Sequence, residues 1–352
     1  MDAIVKEIEQ PKFPFDVSGM RDISTLYFGG GTPGLLPAEN LEKIVNAVHK
    51  NFNMQSGAEF TLEVNPDNVN PATLKAWRNM GANRLSMGVQ SFFDEDLVWM
   101  NRTHDAAKSK SSVLMAQDAG FENISIDLIY GLPASTKTQW QRNLETAVSL
   151  STPHLSCYAL TVEGKTALAH AIENKRQLPP DDKEQAEQFT MMVDYLEAQG
   201  FDHYEISNFG KPGWRSKHNT HYWSGMPYLG FGPAAHSFNG ENIRSWNVAN
   251  NALYMRAVIG NGIPNEMEIL SRADHINERI MTLLRTNAGI ELNEADLLLG
   301  DLKISSDEIA GIQGKVEFWQ NAGKLEIMDG YIKLTKNGKL FADGIASSFF
   351  VT

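Results

Sequence analysis

From residue 24 to residue 198 short apolar runs alternate with amphipathic segments of helical length, and few folds accept that alternation. The runs at 24–28, 59–64, 84–89, 124–129 and 154–160 have the length and composition of buried strands. Between them the spacing predicts helices over 37–51, where Leu41, Ile44, Val45 and Val48 share a face, and over 71–80, 94–101, 106–119, 138–150 and 184–198. Strands joined through helices run parallel with right-handed crossovers. A final strand is predicted at 202–206, leading into a stretch rich in Gly, Trp and His that extends to about Trp246. The chain opens in a helix carrying Ile4, Val5 and Ile8, which Pro11 and Pro14 stop, and no strand is predicted ahead of it. Five or six β/α units make either a barrel or an open doubly wound sheet.

After about Pro264 the pattern changes. Helices are predicted over 273–284, 293–298 and 306–321, then two strands, 325–327 and 331–334, flank Asp329-Gly330, the composition of a tight hairpin turn. A last helix covers 336–349, so residues 265–352 read as a winged-helix-like α+β module after a first domain at 1–250. Winged helices often bind DNA, but 31 Lys and Arg stand against 43 Asp and Glu, a net charge of −12, which repels phosphate backbones. A lid or docking role is the expectation, with no nucleic-acid partner. No apolar run approaches the roughly 18 residues of a membrane span, and the reading is a soluble, cytoplasmic protein. The single cysteine, Cys157, excludes an internal disulfide and any all-cysteine metal site within the chain.

In parallel α/β folds ligands sit where the strands end. Gly29, Gly30 and Gly31 follow the first predicted strand and can bring backbone amides close to a ligand, with the Thr32 hydroxyl beside them, although a tight turn alone would also use glycines. The later strand ends carry Glu63, Gln90 and Asp127, and Arg102 follows from the next helix. A carboxylate inside an apolar strand needs a cation or hydroxyl donors, so these residues suit a ligand with an amine, a carboxylate and ribose hydroxyls; salt bridges or caps would satisfy each of them singly. Further along, His218, Tyr222 and Trp223 offer an axial donor and an aromatic wall, or a hydrogen-bonded histidine in an aromatic cluster. A metal site using His218 and His221 with His203 or His236 lacks acidic or cysteine ligands nearby, and Cys157 reads as a small buried hydrophobe.

The motifs Phe28-Gly29-Gly30-Gly31-Thr32-Pro33, Glu63-Val64-Asn65-Pro66, Asn83 to Phe92 with its Gly88-Val89-Gln90, and Asp127-Leu128-Ile129-Tyr130-Gly131-Leu132-Pro133 occur in that order. Together they resemble the oxygen-independent coproporphyrinogen oxidase (HemN) and HemW haem-chaperone family of radical S-adenosylmethionine proteins. The resemblance implies an incomplete (β/α) radical-SAM barrel, missing its first strand, with the winged-helix-like module behind it. It implies that Gly30, Gly31, Thr32, Glu63, Gln90, Arg102 and Asp127 contact adenosylmethionine. The stretch Lys217-His218-Asn219-Thr220-His221-Tyr222-Trp223 resembles the signature of the HemW branch, with His218, Tyr222 and Trp223 as haem-binding residues and haem or porphyrin as cargo.

The family also carries a C-x3-C-x2-C loop that holds a [4Fe-4S] cluster, and this chain has no such loop. The expectation is that the first strand and cluster loop lie upstream of Met1, through a shortened chain or a misplaced start, or that the chain is a natural cluster-free relative. Without the cluster no electron reaches adenosylmethionine, so no catalytic residue is assigned. Three functions follow in order of expectation: a HemW-like haem chaperone with a haem-acceptor partner and an unidentified electron donor, an oxygen-independent coproporphyrinogen oxidase, and a cluster-free binding scaffold.

Overall fold

The computed structural model describes residues 1–133, 135–262, 265–292 and 306–351, so the helix expected at 293–298 lies outside the described residues. By its internal contacts the chain divides into two compact units, residues 28–35 with 61–216, and residues 1–27 and 36–60 with 217–352.

Seven strands form one sheet in the order β1-β2-β3-β4-β5-β7-β6. They are β1 (Asp22–Phe28), β2 (Asn53–Val64), β3 (Arg84–Gln90), β4 (Asn123–Tyr130), β5 (His154–Ala159), β6 (Asp202–His203) and β7 (Asn208–Gly210). The pairs β2–β3, β3–β4 and β4–β5 are parallel, as helix-length crossovers require. No ladder joins β6 to β1 among the described residues, so the sheet is an incomplete (β/α) barrel with β1 at one end of its order.

The expected last strand at 202–206 is corrected in detail. It is only Asp202–His203, and a strand that was not expected, β7, lies between it and β5, antiparallel to both. The few residues from Tyr204 to Ser207 cannot make a helical crossover, so the chain doubles back. Because β7 opposes both neighbours, β6 still runs parallel to β5.

Register assigns the side chains of this sheet to two faces of opposite character. Leu62 pairs with Leu85, Leu85 with Ile124, Met87 with Ile126, Ile126 with Leu155 and Leu128 with Cys157, so one face is apolar. After β1 comes α2 (Ala38–Asn51), and after β5 the short α7 (Ala167–Glu173); the crossover helices α3 (Pro71–Asn79), α5 (Ala106–Asp118), α6 (Lys137–Ser149) and α8 (Asp182–Ala198) bury Trp77, Val113, Trp140 and Met192. Tyr130, on the apolar face, meets the Trp140 ring of α6 at 5.5 Å and the Phe189 ring of α8 at 6.5 Å. Each such side chain stabilises the fold by about 1.5–3 kcal/mol. On the opposite face Glu63 pairs with Ser86, Ser86 with Ser125, Ser125 with His154, Asp127 with Ser156 and Ser156 with Asn208.

In the other unit the first helix, α1 (Asp2–Glu9), is docked through Glu7, whose buried carboxylate accepts from Gly232 N at 2.9 Å, Asn247 Nδ2 at 2.7 Å and the Tyr254 hydroxyl at 2.5 Å. Burial pushes this carboxyl above the ordinary range. The stretch to Trp246, expected as irregular, contains the helix α9 (Lys217–Trp223) and the strands β8 (His236–Phe238) and β9 (Ile243–Asn247). With β10 (Asn265–Ile269) these strands form an antiparallel sheet, and α10 (Asn251–Ile259) packs with α1.

The described residues beyond 270 form helices and a small antiparallel sheet in the order β11-β13-β12: α11 (Arg272–Leu284), β11 (Ile290–Glu291), α12 (Ser306–Asn321), β12 (Leu325–Met328) and β13 (Tyr331–Leu334). Met328 pairs with Tyr331, leaving Asp329 (φ 54°) and Gly330 (φ 83°) as the two-residue turn, both left-handed as a twisted hairpin demands. The single helix expected at 336–349 is two, α13 (Lys336–Lys339) and α14 (Ala342–Ser348), because Phe341 leaves helical geometry at φ −121°, ψ 20° and holds its ring under the Lys324 ammonium.

Candidate functional site

Of the ten expected site residues, seven lie in the unit of 28–35 and 61–216 and three in the other. In the first group, the glycine turn follows β1. Gly30 has φ +86°, which reserves the position for glycine, whereas Gly31 has an ordinary φ and a Cβ added there would meet no protein atom within 4 Å. The turn is tied to the end of β2 by Asn65 Nδ2, which donates to Thr32 Oγ1 at 3.3 Å, and Asn65 itself caps the short turn that begins at Pro66.

Glu63 is next to the last residue of β2, Gln90 is the last of β3, and Asp127 lies within β4. The ladder between β3 and β4 shifts register between Met87 and Gln90, and Gln90 takes φ 68°. That irregularity re-aims the Gln90 amide into space that Gly88 leaves open, since a Cβ at 88 would come within 2.8 Å of Gln90 Nε2. Arg102 sits in the loop after α4 (Asp94–Trp99), half-buried, and burial pushes its guanidinium downward. The loop is anchored by His104 Nε2 to Val89 O at 3.1 Å, beside Gln90, and by the Thr103 hydroxyl on Asp67. No hydrogen bond or ion pair engages the Arg102 guanidinium among the described residues.

Asp127 accepts a bifurcated hydrogen bond from Ser86 Oγ, 3.1 Å and 3.2 Å to its two oxygens. Burial pushes its carboxyl up to about 7; the Ser86 and Ser156 hydrogen bonds and the Arg84 charge oppose the rise, and the Glu63 charge adds to it. Cys157 belongs to the apolar face, where burial pushes its thiol well up, so it offers no thiolate.

In the second group α9 carries His218, Tyr222 and Trp223. Buried Glu59 of β2 accepts from the Lys217 and His218 amides, both at 3.0 Å, and so fixes the start of the helix. His218 Nδ1 lies 3.1 Å from Thr25 Oγ1, and its ring stacks on Tyr27 at 4.5 Å. Tyr222 is 6.0 Å from His218 and stacks on Tyr228 at 4.4 Å, so these two residues share one aromatic assembly. Trp223 does not join it, and takes the Arg285 guanidinium over its ring at 5.5 Å instead. His203 stacks on Phe209 and His236 on Trp246, and no group of three or more His, Cys, Asp or Glu that could hold a metal ion is present among the described residues.

The sequence pointed to neither the residues that hold these side chains, Thr25, Tyr27 and Glu59, nor the polar row of Arg84, Ser86, Ser125, His154 and Ser156. Their signal was present: polar residues at every second position of otherwise apolar strands.

The fold is that of a solved radical SAM enzyme, coproporphyrinogen III oxidase (HemN) from Escherichia coli, with a TM-score of 0.81 at 23% identity over 99% of this chain and 82% of that one. The profile of the Radical SAM superfamily matches residues 16–147, and that of the HemN C-terminal domain matches 270–341. Curated relatives that carry the name heme chaperone HemW include those of three bacteria. The Bacillus subtilis protein is 38% identical over 78% of this chain and 72% of its own length. Those of Lactococcus lactis and Mycobacterium tuberculosis are each 32% identical, covering 89% and 92% of this chain and 80% of their own. The chain belongs to the HemW family of radical SAM proteins.

The superfamily's two cofactors fare differently against these residues. Adenosylmethionine fits: open space at Gly31, an unengaged guanidinium at Arg102, and carboxyls at Glu63 and Asp127 match its carboxylate, amine and ribose. A [4Fe-4S] cluster does not fit, because the one cysteine is buried against the helices of the apolar face.

Proposed function

We propose that this chain binds haem through His218 and adenosylmethionine towards the ends of β2, β3 and β4, and that it serves haem delivery to an acceptor protein. The observation that carries the reading is the setting of His218. A haem-ligating histidine coordinates through one ring nitrogen while the other is held by a fixed polar partner; His218 Nδ1 lies 3.1 Å from Thr25 Oγ1, so Nε2 is the nitrogen this reading assigns to the iron. Tyr27 and Tyr222 supply aromatic surface for the porphyrin. The names of the relatives give the same ligand. On the adenosylmethionine side, Gly30, Gly31 and Thr32 approach the ligand backbone, Asp127 and Glu63 take hydroxyl and amine donors, Gln90 adds an amide, and Arg102 takes the carboxylate. When a cluster supplies an electron, adenosylmethionine is a source of radicals; this chain's own residues bind and orient.

The test is an anaerobic haem titration beside a coproporphyrinogen assay. Saturable haem binding near one equivalent, with no protoporphyrinogen formed, is the expected result. Turnover of coproporphyrinogen by this chain would replace the reading with an oxidase.

A further inference from the structure

Among the charged residues of the proposed ligand site, Glu63 and Asp127 stand on strands, whereas Arg102 stands on a loop and needs other means to fix its place. On its N-terminal side α4 supplies them. Asn101 takes φ 55°, its amide donates to Val98 O at 3.0 Å, and the Arg102 amide donates to Leu97 O at 2.8 Å, the paired bonds that close a helix end through a left-handed residue. Asparagine adopts that conformation more readily than most side chains. The Arg102 backbone is thereby fixed to the last turn of α4.

On its C-terminal side the loop is fixed to other elements. The Thr103 hydroxyl donates to Asp67 Oδ2, and the Ala106 amide donates to Asp94 Oδ1 at 2.8 Å, back to the first turn of α4. Asp105 accepts from the Lys108 amide at 2.7 Å and starts α5.

His104, buried, makes the contacts that lead back to the sheet. Its Nε2 is 3.1 Å from Val89 O, and its Nδ1 is 3.8 Å from Asp67 Oδ2. A carbonyl oxygen only accepts, so Nε2 carries the hydrogen. Val89 precedes Gln90 in β3, and Asp67 lies in the single turn Pro66–Asn68 that follows β2. That turn is itself held: Asn65 caps it, and the Ser112 hydroxyl of α5 donates to Pro66 O at 3.0 Å. One imidazole thus ties the Arg102 loop to the two strands that carry Glu63 and Gln90. The bend at Gln90 does not depend on it, because the Ser91 amide closes that bend on the same Val89 oxygen at 2.9 Å. What the imidazole holds in place is the loop.

We propose that His104 is a positioning residue for Arg102: by holding the loop against Val89 and Asp67 it sets the reach of the guanidinium, and so the preference of the site for a ligand bearing a carboxylate. This rests on the reading above that Arg102 takes the adenosylmethionine carboxylate. A guanidinium grips a carboxylate through a rigid fork of parallel N–H donors, so the strength of the pair depends on where the fork is held. Contacts to the sulfonium, ribose and adenine do not pass through Arg102 and should be indifferent to His104.

The experiment is calorimetric titration of the full chain with adenosylmethionine and with its decarboxylated form, which keeps the sulfonium, amine, ribose and adenine. The parent should bind adenosylmethionine about tenfold or more tightly than the decarboxylated probe, and Arg102→Gln should bring the two within about twofold of each other. His104→Ala should weaken adenosylmethionine about tenfold and the decarboxylated probe by less than about twofold. His104→Gln, whose amide can reach Val89 O, should recover most of the loss, and the shorter His104→Asn should not. In the Arg102→Gln background His104→Ala should cost nothing further, because the imidazole acts through Arg102. Thr103→Val, nearly isosteric, should show a smaller loss of the same selectivity, and keeps the test decisive if His104→Ala does not fold. Equal losses for both probes, unchanged affinities, or additive losses in the double variant overturn the proposal while leaving the ligand reading intact. A parent that binds neither probe, or an Arg102→Gln variant that weakens both alike, overturns the reading of Arg102 and the role of His104 with it.

Discussion

Gly31 is the residue whose identity the protein alone does not require. Its φ is ordinary and a Cβ there meets nothing, whereas Gly30 is bound to glycine by its φ of +86°. Gly31→Ala should therefore leave the melting temperature within a degree or two of the parent while weakening adenosylmethionine binding about tenfold or more, measured by the same calorimetry. Gly30→Ala should lower both, with strain on the order of 1–2 kcal/mol. Asp127 gives a prediction of opposite kind. Its carboxyl is raised in the folded protein to about 7. The stability it contributes is fully present below the unfolded value near 4 and is lost as pH rises through about 7. Asp127→Asn, a neutral isostere, should raise the melting temperature at pH 8 and change it little at pH 5; an equal shift at both pH values would contradict the assignment.

At the scale of elements, the legible parts were those with local chemistry. The strands from β1 to β5, their helices, and the hairpin at Asp329-Gly330 each carry their own period or turn residues. Only the start of β6 was legible, and the short strands β7 to β10 were not, because strands of three to five residues have too few positions to show alternation and are fixed by pairing with distant partners. Helix α9 was missed for a related reason. Its start depends on Glu59, more than a hundred residues away in sequence, rather than on a nearby cap. The break between α13 and α14, at Phe341, likewise involves a distant residue, Lys324, whose ammonium lies over the Phe341 ring; within α13 a Cβ on Gly338 would lie 1.9 Å from the carbonyl oxygen of the same Lys324. Gly338→Ala should destabilise the module that carries β12 by about 1–3 kcal/mol or more, seen as a lowered unfolding midpoint. An unchanged midpoint would mean that β12 and α13 are held less closely than this.

Across the whole molecule, composition bounded the chemistry more firmly than it bounded the shape. One cysteine excludes an internal disulfide and an all-cysteine cluster within these 352 residues, and a net charge of −12 supplies no sequence-wide attraction for phosphate backbones. The candidate ligand residues were legible as a set because motif order exposed them at successive strand ends. The row beneath them was not, because single serines and a histidine inside apolar strands carry meaning only once register puts them side by side. No described helix is long and apolar enough to cross a membrane, and the sheet's apolar face is occupied by the protein's own helices.

The account turns on His218 as the haem ligand, and the most direct measurement is the visible spectrum of the haem-loaded chain compared with that of His218→Ala, each recorded after anaerobic titration with one equivalent of haem. The account predicts a Soret band characteristic of histidine ligation in the parent and its loss, with at least tenfold weaker binding, in the variant, while Thr25→Val gives an intermediate spectrum. Superimposable spectra and affinities for the parent and His218→Ala would contradict it.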